Sequence, residues 1–300
     1  MIQDRAHRFV QDLDAEETRR AYRYDLECFF DFLTDRDQPV DVVEVSPTDI
    51  RHYFDHLDEQ ALSVSTKRRR VAAVRRFFDW LRKEGVVPFT PVQDAPSFTV
   101  EHNGDPENER FLDRETLSAL LDDIDRDDLQ GHRDYTLILL IVYGALRRAE
   151  VASLDVDDVR PLGRHWVIDL PTSYQTQGGY VRIPDAVAEQ VQRLADRYDE
   201  ADGPLWRSLG NRNRGGRLSP DALYKIVRRV GRTAGVERLS IEVLRRSGLR
   251  LASVGGATLS QLRDHARLKT AASAAQYTAE DNSGRLSSSV SDRIPLNVEQ

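Results

Sequence analysis

Three hundred residues, 40% of them apolar and 31% charged, provide for about two folded domains and exclude an intrinsically disordered chain. The longest apolar run, residues 135–146, falls short of the roughly 18 residues that a membrane span needs, and the amino terminus has no apolar leader, so a cytoplasmic location is expected. The lone Cys28 excludes an internal disulfide, and no cluster of metal-ligating residues or phosphate-binding glycine loop is present, so neither metal nor cofactor is expected.

The net charge of −7 argues against a nucleic-acid partner only until its distribution is read. Acid gathers at residues 122–128 and 155–158, base at 67–76 and 225–250. Lysine occurs only at Lys67, Lys83, Lys225 and Lys269, and this Asp-rich, Lys-poor balance suits a salt-rich, halophilic cytoplasm.

In chain order, residues 15–33 place Ala21, Tyr22, Leu26, Phe29, Phe30 and Leu33 near a 3.6-residue period, which predicts a helix. Ser46-Pro47-Thr48-Asp49 reads as a helix start, with serine as N-cap, proline in the first helical position and an acid in the first turn. Ser65 is expected to cap a third helix that Gly85 ends. Val71, Val74, Phe77, Phe78 and Leu81 form its buried face, and its basic residues fall largely on the others. Prolines 88, 91 and 96 and the polar run 101–110 then break all periodicity, as a linker would. Beyond it, Asp113 caps a helix over 114–122, and a strongly apolar helix runs from about residue 133 to 146. Residues 165–170 and 180–183 read as strands joined by the turn Q-T-Q-G-G at 175–179. A helix over 185–198 follows, then a mobile basic loop over 211–217 and a helix opened by Ser219-Pro220-Asp221. Residues 239–280 carry helix-compatible runs on either side of Gly255-Gly256, and a Ser-rich tail begins at 283.

The chemistry-bearing residues are spread through the second half. Arg147 ends the apolar helix with Glu150 three residues on, which alone would be a solvated helix end with an ion pair. What singles it out is the order Arg147, β-hairpin, Arg245, His265, Tyr277. A tyrosine hydroxyl, with a pKa near 10, attacks poorly until neighbouring cations favour its phenolate. Two arginines can fork the non-bridging oxygens of a phosphate and offset the charge that builds up in the transition state. A histidine can donate a hydrogen bond or handle a proton. Together they suit a tyrosine attacking a phosphodiester.

That order resembles the tyrosine recombinase family of phage-type integrases and Xer-like resolvases. A-L-R-R-A-E-V-A-S-L at 145–154 is similar to the family's first arginine box, which matches Arg147 to the first catalytic arginine and Glu150 to its supporting acid. E-V-L-R-R-S at 242–247 matches Arg245 to the second, with Arg246 beside it. D-H-A-R-L-K-T at 264–270 is similar to the third box and supplies His265, with Tyr277 following as nucleophile. The pattern of Thr18, Tyr22, Leu26 and Phe29 looks like the family's DNA-binding domain.

The resemblance implies a mostly α fold: a helical, SAM-like core-binding domain over residues 1–95, a linker over 96–110, a mixed α+β catalytic domain over 111–282 and a tail over 283–300. It implies a site-specific recombinase or integrase that cuts and rejoins double-stranded DNA through a 3′-phosphotyrosyl intermediate, acting as a homo-tetramer on two duplexes, away from membranes and without metal or ATP. Lys67, Arg68, Arg69, Arg70 and Arg75, together with Arg182 in the second strand, are the expected DNA contacts. The hydrophobic patch of the tail, Arg293 to Leu296, is expected to dock on a neighbouring subunit or to be disordered.

Three positions depart from the family. The hairpin turn lacks the lysine that serves as general acid, and no lysine lies between Lys83 and Lys225. Glu242 stands where the second box has histidine, and would repel a phosphate unless protonated or paired with Arg246. The interval from His265 to Tyr277 is long. Counting from Arg245 instead puts Leu268 in the histidine position, and the closer match of the box itself favours His265. The alternative reading is a DNA-binding protein of the same fold with lost or reduced catalysis.

Overall fold

Short polar caps start most of the helices. Asp49 N donates to Ser46 Oγ at 3.3 Å while Ser46 N donates back to Asp49 Oδ2 at 2.9 Å, and with Pro47 next in line this reciprocal box opens α3 (Pro47–Glu59) where the sequence places it. The protein is seen in a computed structural model that describes residues 2–14, 16–35, 41–92, 110–171, 179–198, 202–278 and 290–296. It divides into two units, residues 1–109 and 110–300, each with its own hydrophobic core. No helix among the described residues is long and apolar enough to cross a membrane. The linker expected over 96–110 lies, apart from Arg110, outside the described residues.

The first unit is all helix: α1 (Ile2–Gln11), α2 (Glu16–Thr34), α3 and α4 (Val64–Lys83). Phe29, Phe54, Phe77 and Phe78 fill its centre with Tyr53. The residue that caps α4 is Ser63, not Ser65: Thr66 N donates to Ser63 Oγ at 3.3 Å, so the helix begins two residues earlier than a Ser65 cap would place it. Helix α1 carries too few apolar residues to declare itself. It is held by Phe9, whose ring centroid lies 5.5 Å from Phe77 and 6.0 Å from Trp80.

The second unit is built around α6 (Leu129–Gly144), which starts at an Asp128 cap and is buried along nearly its whole length. Helices α5 (Arg114–Asp122), α7 (Arg148–Ser153), α8 (Asp185–Asp196), α9 (Pro220–Thr233), α10 (Ile241–Val254), α11 (Leu259–His265) and α12 (Ala271–Ala275) belong to it. So does an antiparallel sheet of β1 (Val159–Leu162), β2 (His165–Leu170) and β3 (Gly179–Ile183), in that order. The β2–β3 pair is the expected hairpin, with Ile168 opposite Val181. Its turn, including Gln175 and Thr176, falls outside the described residues. Strand β1 was not legible, because only Val159 of its four residues is buried.

Two expectations change. The basic loop at 211–217 forms a tight turn, in which Ser208 N donates to Gly216 O at 2.8 Å and Gly215 N to Ser208 O at 2.9 Å. Arg217 Nη1 then caps the end of α7 by donating to the carbonyls of Ala152, Ser153 and Leu154 at 3.1, 2.8 and 3.0 Å. The tail segment 290–296 packs into the second unit's own core. Val290, Ile294 and Leu296 are buried, Ser291 Oγ donates to Tyr143 O at 3.0 Å, and Tyr143 Oη donates to Leu296 O at 3.2 Å.

Candidate active site

The site forms where α6 stops. Ala145 takes a left-handed conformation (φ 45°) and turns the chain, so that Arg147 becomes the first residue before α7. There its backbone N–H donates to Glu150 Oε2 at 2.7 Å and its Nη1 to Glu150 Oε1 at 3.1 Å. The i,i+3 spacing that looked like a surface ion pair is therefore a helix-start lock that aims the guanidinium.

Helix α10 brings Arg245 to the same place because Gly248 lets it lie against α6. A β-carbon at Gly248 would come within 2.1 Å of Val142 O, so no larger residue fits without moving a helix. One turn earlier, Arg245 is buried, donates from Nε to Ala145 O at 2.9 Å and from Nη2 to Ala266 O at 3.0 Å. Arg147 Nη2 reaches the same Ala266 carbonyl at 3.2 Å. Two arginines nearly one hundred positions apart thus share one acceptor.

Carbonyl oxygens orient Arg245 without cancelling its charge, whereas Arg147 is held by the Glu150 carboxylate as well as by carbonyls. Burial pushes the Arg245 pKa down, Glu242 opposes that, and Arg147 and Arg267 reinforce it through like charge. Glu242 is half exposed and lies 3.0 Å from Arg246 Nε and 3.7 Å from Arg245 Nη1, so the carboxylate in the histidine position is paired with Arg246. Burial dominates at Tyr277 and raises its pKa above the ordinary tyrosine value. Arg245 acts against it, Glu242 with it, and Arg246 and Arg147 against it. In the free protein Tyr277 is a buried phenol within the field of both arginines rather than a preformed phenolate.

His265 does something other than its sequence position suggests. At the end of α11 its Nε2 donates to Tyr143 O at 2.9 Å, the carbonyl that also receives Ser291 Oγ. Burial, with the charge of Arg267 added, pushes its pKa down to about 4. It is a neutral ring that ties α11 to α6, and no hydrogen bond joins it to Arg147, Arg245 or Tyr277 among the described residues. Arg267, which the sequence reading passed over, takes the central place. All five of its N–H groups are bound: Nε and Nη2 fork Glu150 at 3.0 and 2.7 Å, Nη2 also reaches Ala145 O at 2.8 Å, and Nη1 reaches Gly144 O at 3.2 Å and His265 O at 2.7 Å. The register counted from Arg245, with Leu268 in the histidine position, was the signal that pointed at this residue's neighbourhood.

The expected DNA contacts separate into two groups. Arg68 and Arg75 are exposed on α4. Arg70 is buried, donates from Nη1 to Gln60 Oε1 at 3.3 Å and lies over the Tyr24 ring, so it belongs to the interior of the first unit, contrary to expectation. Arg69 Nη1 donates to the fully buried Asp25 at 2.5 Å and Lys67 Nζ to Asp58 at 3.1 Å, which commits both to contacts within the unit. Arg182 is half-buried on β3, and its carbonyl accepts a bond from Ser291 Oγ at 2.6 Å.

Comparison with known proteins agrees with this architecture. Residues 7–85 match the phage integrase N-terminal SAM-like domain and residues 110–283 the phage integrase family. A tyrosine recombinase from Synechococcus elongatus is 28% identical over 284 residues, covering 87% of this chain and 85% of the relative. A tyrosine recombinase XerC from Thermodesulfovibrio yellowstonii is 25% identical over 277 residues, covering 88% and 87%. Among solved structures, the Tn1549 transposon integrase in complex with circular intermediate DNA superposes with a TM-score of 0.70 at 14% identity, covering 92% of this chain and 96% of the other. XerH recombinase bound to its palindromic difH substrate gives 0.68 at 17% identity, covering 86% and 75%. At those identities the structures speak to the fold: a SAM-like helical domain followed by a tyrosine-recombinase catalytic domain.

Proposed function

This chain belongs to the phage integrase family of tyrosine recombinases, and on that premise we propose that it cuts and rejoins double-stranded DNA through a covalent bond to Tyr277. The carrying observation is the convergence of Arg147 and Arg245 on Ala266 O, with Tyr277 in the field of both. In this reading the two guanidiniums take the non-bridging oxygens of the scissile phosphate. The Tyr277 hydroxyl attacks phosphorus and gives up its proton. The bond to the 5′-oxygen breaks, and that oxygen gains a proton as it leaves. Resealing reverses the sequence with the 5′-hydroxyl of a partner strand. No energy source is needed, because the phosphotyrosyl link keeps the bond energy.

Glu150 holds Arg147, and the pairing of Glu242 with Arg246 lowers the repulsion that a lone carboxylate would present to phosphate. Arg68 and Arg75 are proposed as phosphate contacts that position the duplex without reading its sequence. The acting form is proposed to be a homo-oligomer assembled on DNA, as the family resemblance implies.

The test is a nicked suicide duplex carrying the protein's recombination site. A covalent protein–DNA adduct that Tyr277→Phe abolishes is expected. A duplex that is bound but never linked would favour the second reading, a DNA-binding protein of this fold with reduced catalysis. The observations favouring that reading are the missing hairpin lysine and the engagement of His265 by Tyr143 O. Thr176→Lys, which restores an ammonium to the turn, is expected to speed cleavage if the leaving oxygen lacks an efficient acid.

A further inference from the structure

We propose that Arg267 is a positioning residue that keeps the two phosphate-binding arginines in a common register. The inference rests on the reading of Arg147 and Arg245 given above and goes beyond it, since that reading gives Arg267 no part in the catalytic set.

The backbone gives the first indication. Arg267 has φ 54°, in the left-handed region, where an L side chain is strained and glycine is the natural occupant. The turn needs that conformation to leave α11, but it does not need a guanidinium. What the side chain gains is a buried, fully bonded place, with 6% of its surface exposed and every N–H engaged.

The partners give the second. Glu150, forked by Arg267, is the carboxylate that receives both the backbone N–H and Nη1 of Arg147. Ala145 O, held by Arg267 Nη2, is the carbonyl that receives Arg245 Nε. The carbonyl of Arg267 itself accepts from Arg147 Nη2 at 3.1 Å, and its neighbour Ala266 O accepts from both arginines. Each phosphate-binding arginine is therefore tied to an atom that Arg267 holds and to the short segment that Arg267 anchors. A shift of either guanidinium by an ångström would misplace the phosphate, which costs about 100-fold in rate.

The electrostatics fit. Burial raises Glu150, yet the bonds and charge of Arg267, then those of Arg147, outweigh it and hold the carboxyl below its ordinary value. Without Arg267 the carboxyl would move up and begin to lose its charge, and with it its grip on Arg147, as the pH falls.

Arg267→Gly isolates the side chain, because glycine accepts the left-handed turn without strain. With the suicide duplex, Arg267→Gly is expected to bind DNA within about twofold of the unaltered protein while cleaving about 100-fold more slowly. Its rate should fall away at a higher pH on the acid side. Added guanidinium ion should restore part of the rate, and Arg267→Lys should recover little, because an ammonium cannot fork the carboxylate. Circular dichroism and thermal melting establish that each variant is folded. If Arg267→Gly does not fold, the comparison moves to Arg267→Lys. A rate equal to that of the unaltered protein in whichever folded variant is measured, with an unmoved pH profile, overturns the inference alone. Absence of an adduct from the unaltered protein overturns the reading of Arg147 and Arg245 on which it rests.

Discussion

Each unit sets a pair of arginines, one buried and one partly exposed, around a carboxylate, and the two clusters are made differently. In the first unit, Arg69 and Arg70 converge on Asp25, which is wholly buried, and the cluster leaves Asp25 Oδ1, Arg70 Nε and Tyr53 Oη without hydrogen-bond partners. Burial raises the Asp25 pKa despite both arginines. In the second unit, Glu150 sits between Arg147 and Arg267 and its pKa ends below the ordinary value, while Arg245 is held by carbonyl oxygens. A carboxylate neutralises the arginine it binds, whereas a carbonyl fixes it and leaves the charge for use. With four guanidiniums set against Glu150 and Glu242, the second cluster keeps a surplus of positive charge suited to an anion. The first spends its charge on fastening α2 to α4.

The sharpest break between the clusters is expected from Arg245→Lys. It keeps a charge but loses the fork, and single-turnover cleavage of the suicide duplex should drop by about 10²–10³-fold with duplex affinity little changed. Equal rates would mean that a point charge suffices.

His265→Asn tests whether that ring is structural. The folded pKa of about 4 lies below the unfolded value, so the unfolded chain binds the proton more readily. Stability from this group is full above about pH 6.5 and is lost as pH falls toward 4, by up to about 3 kcal/mol. Urea titrations across that window should show a shallower decline for His265→Asn, which can still donate to Tyr143 O. Parallel curves would remove His265 from the account of acid stability.

Arg70→Ala should cost about 1.5–3 kcal/mol in the stability of the first unit, read by urea denaturation, because Asp25 keeps only Arg69. The salt dependence of duplex binding should be unchanged; a reduced slope would return Arg70 to the DNA contacts. The smallest effect is expected from Arg68→Gln and Arg75→Gln. Each should reduce the slope of log affinity against log salt by about 0.9.

Much of the fold was readable because local physics writes it. The Ser46 box, the Asp113 cap, the apolar α6 and the β2–β3 alternation rest on neighbours within a few residues. Helix α1 and strand β1 were missed because their few apolar residues count only against a partner surface, the Phe77–Trp80 cluster for one and β2 for the other. The tail was read as a free or exchanging segment because nothing in Arg293–Leu296 announces that Tyr143 waits for it.

In the site, sequence alone brought forward Tyr277, Arg147, Arg245 and Glu150 as candidates, through the resemblance of their surroundings to the family's boxes. It also showed what is missing from the hairpin turn. Tertiary structure decided the rest. Whether Arg70 reaches outward or inward, whether His265 meets a phosphate or a carbonyl, and whether Glu242 stands alone or beside Arg246 depend on groups far apart along the chain. Arg267 shows the reason most plainly: its partners Gly144, Ala145 and Glu150 lie more than one hundred positions away. No local pattern encodes the fork they form, because it exists only once α6, α7 and α11 have come together.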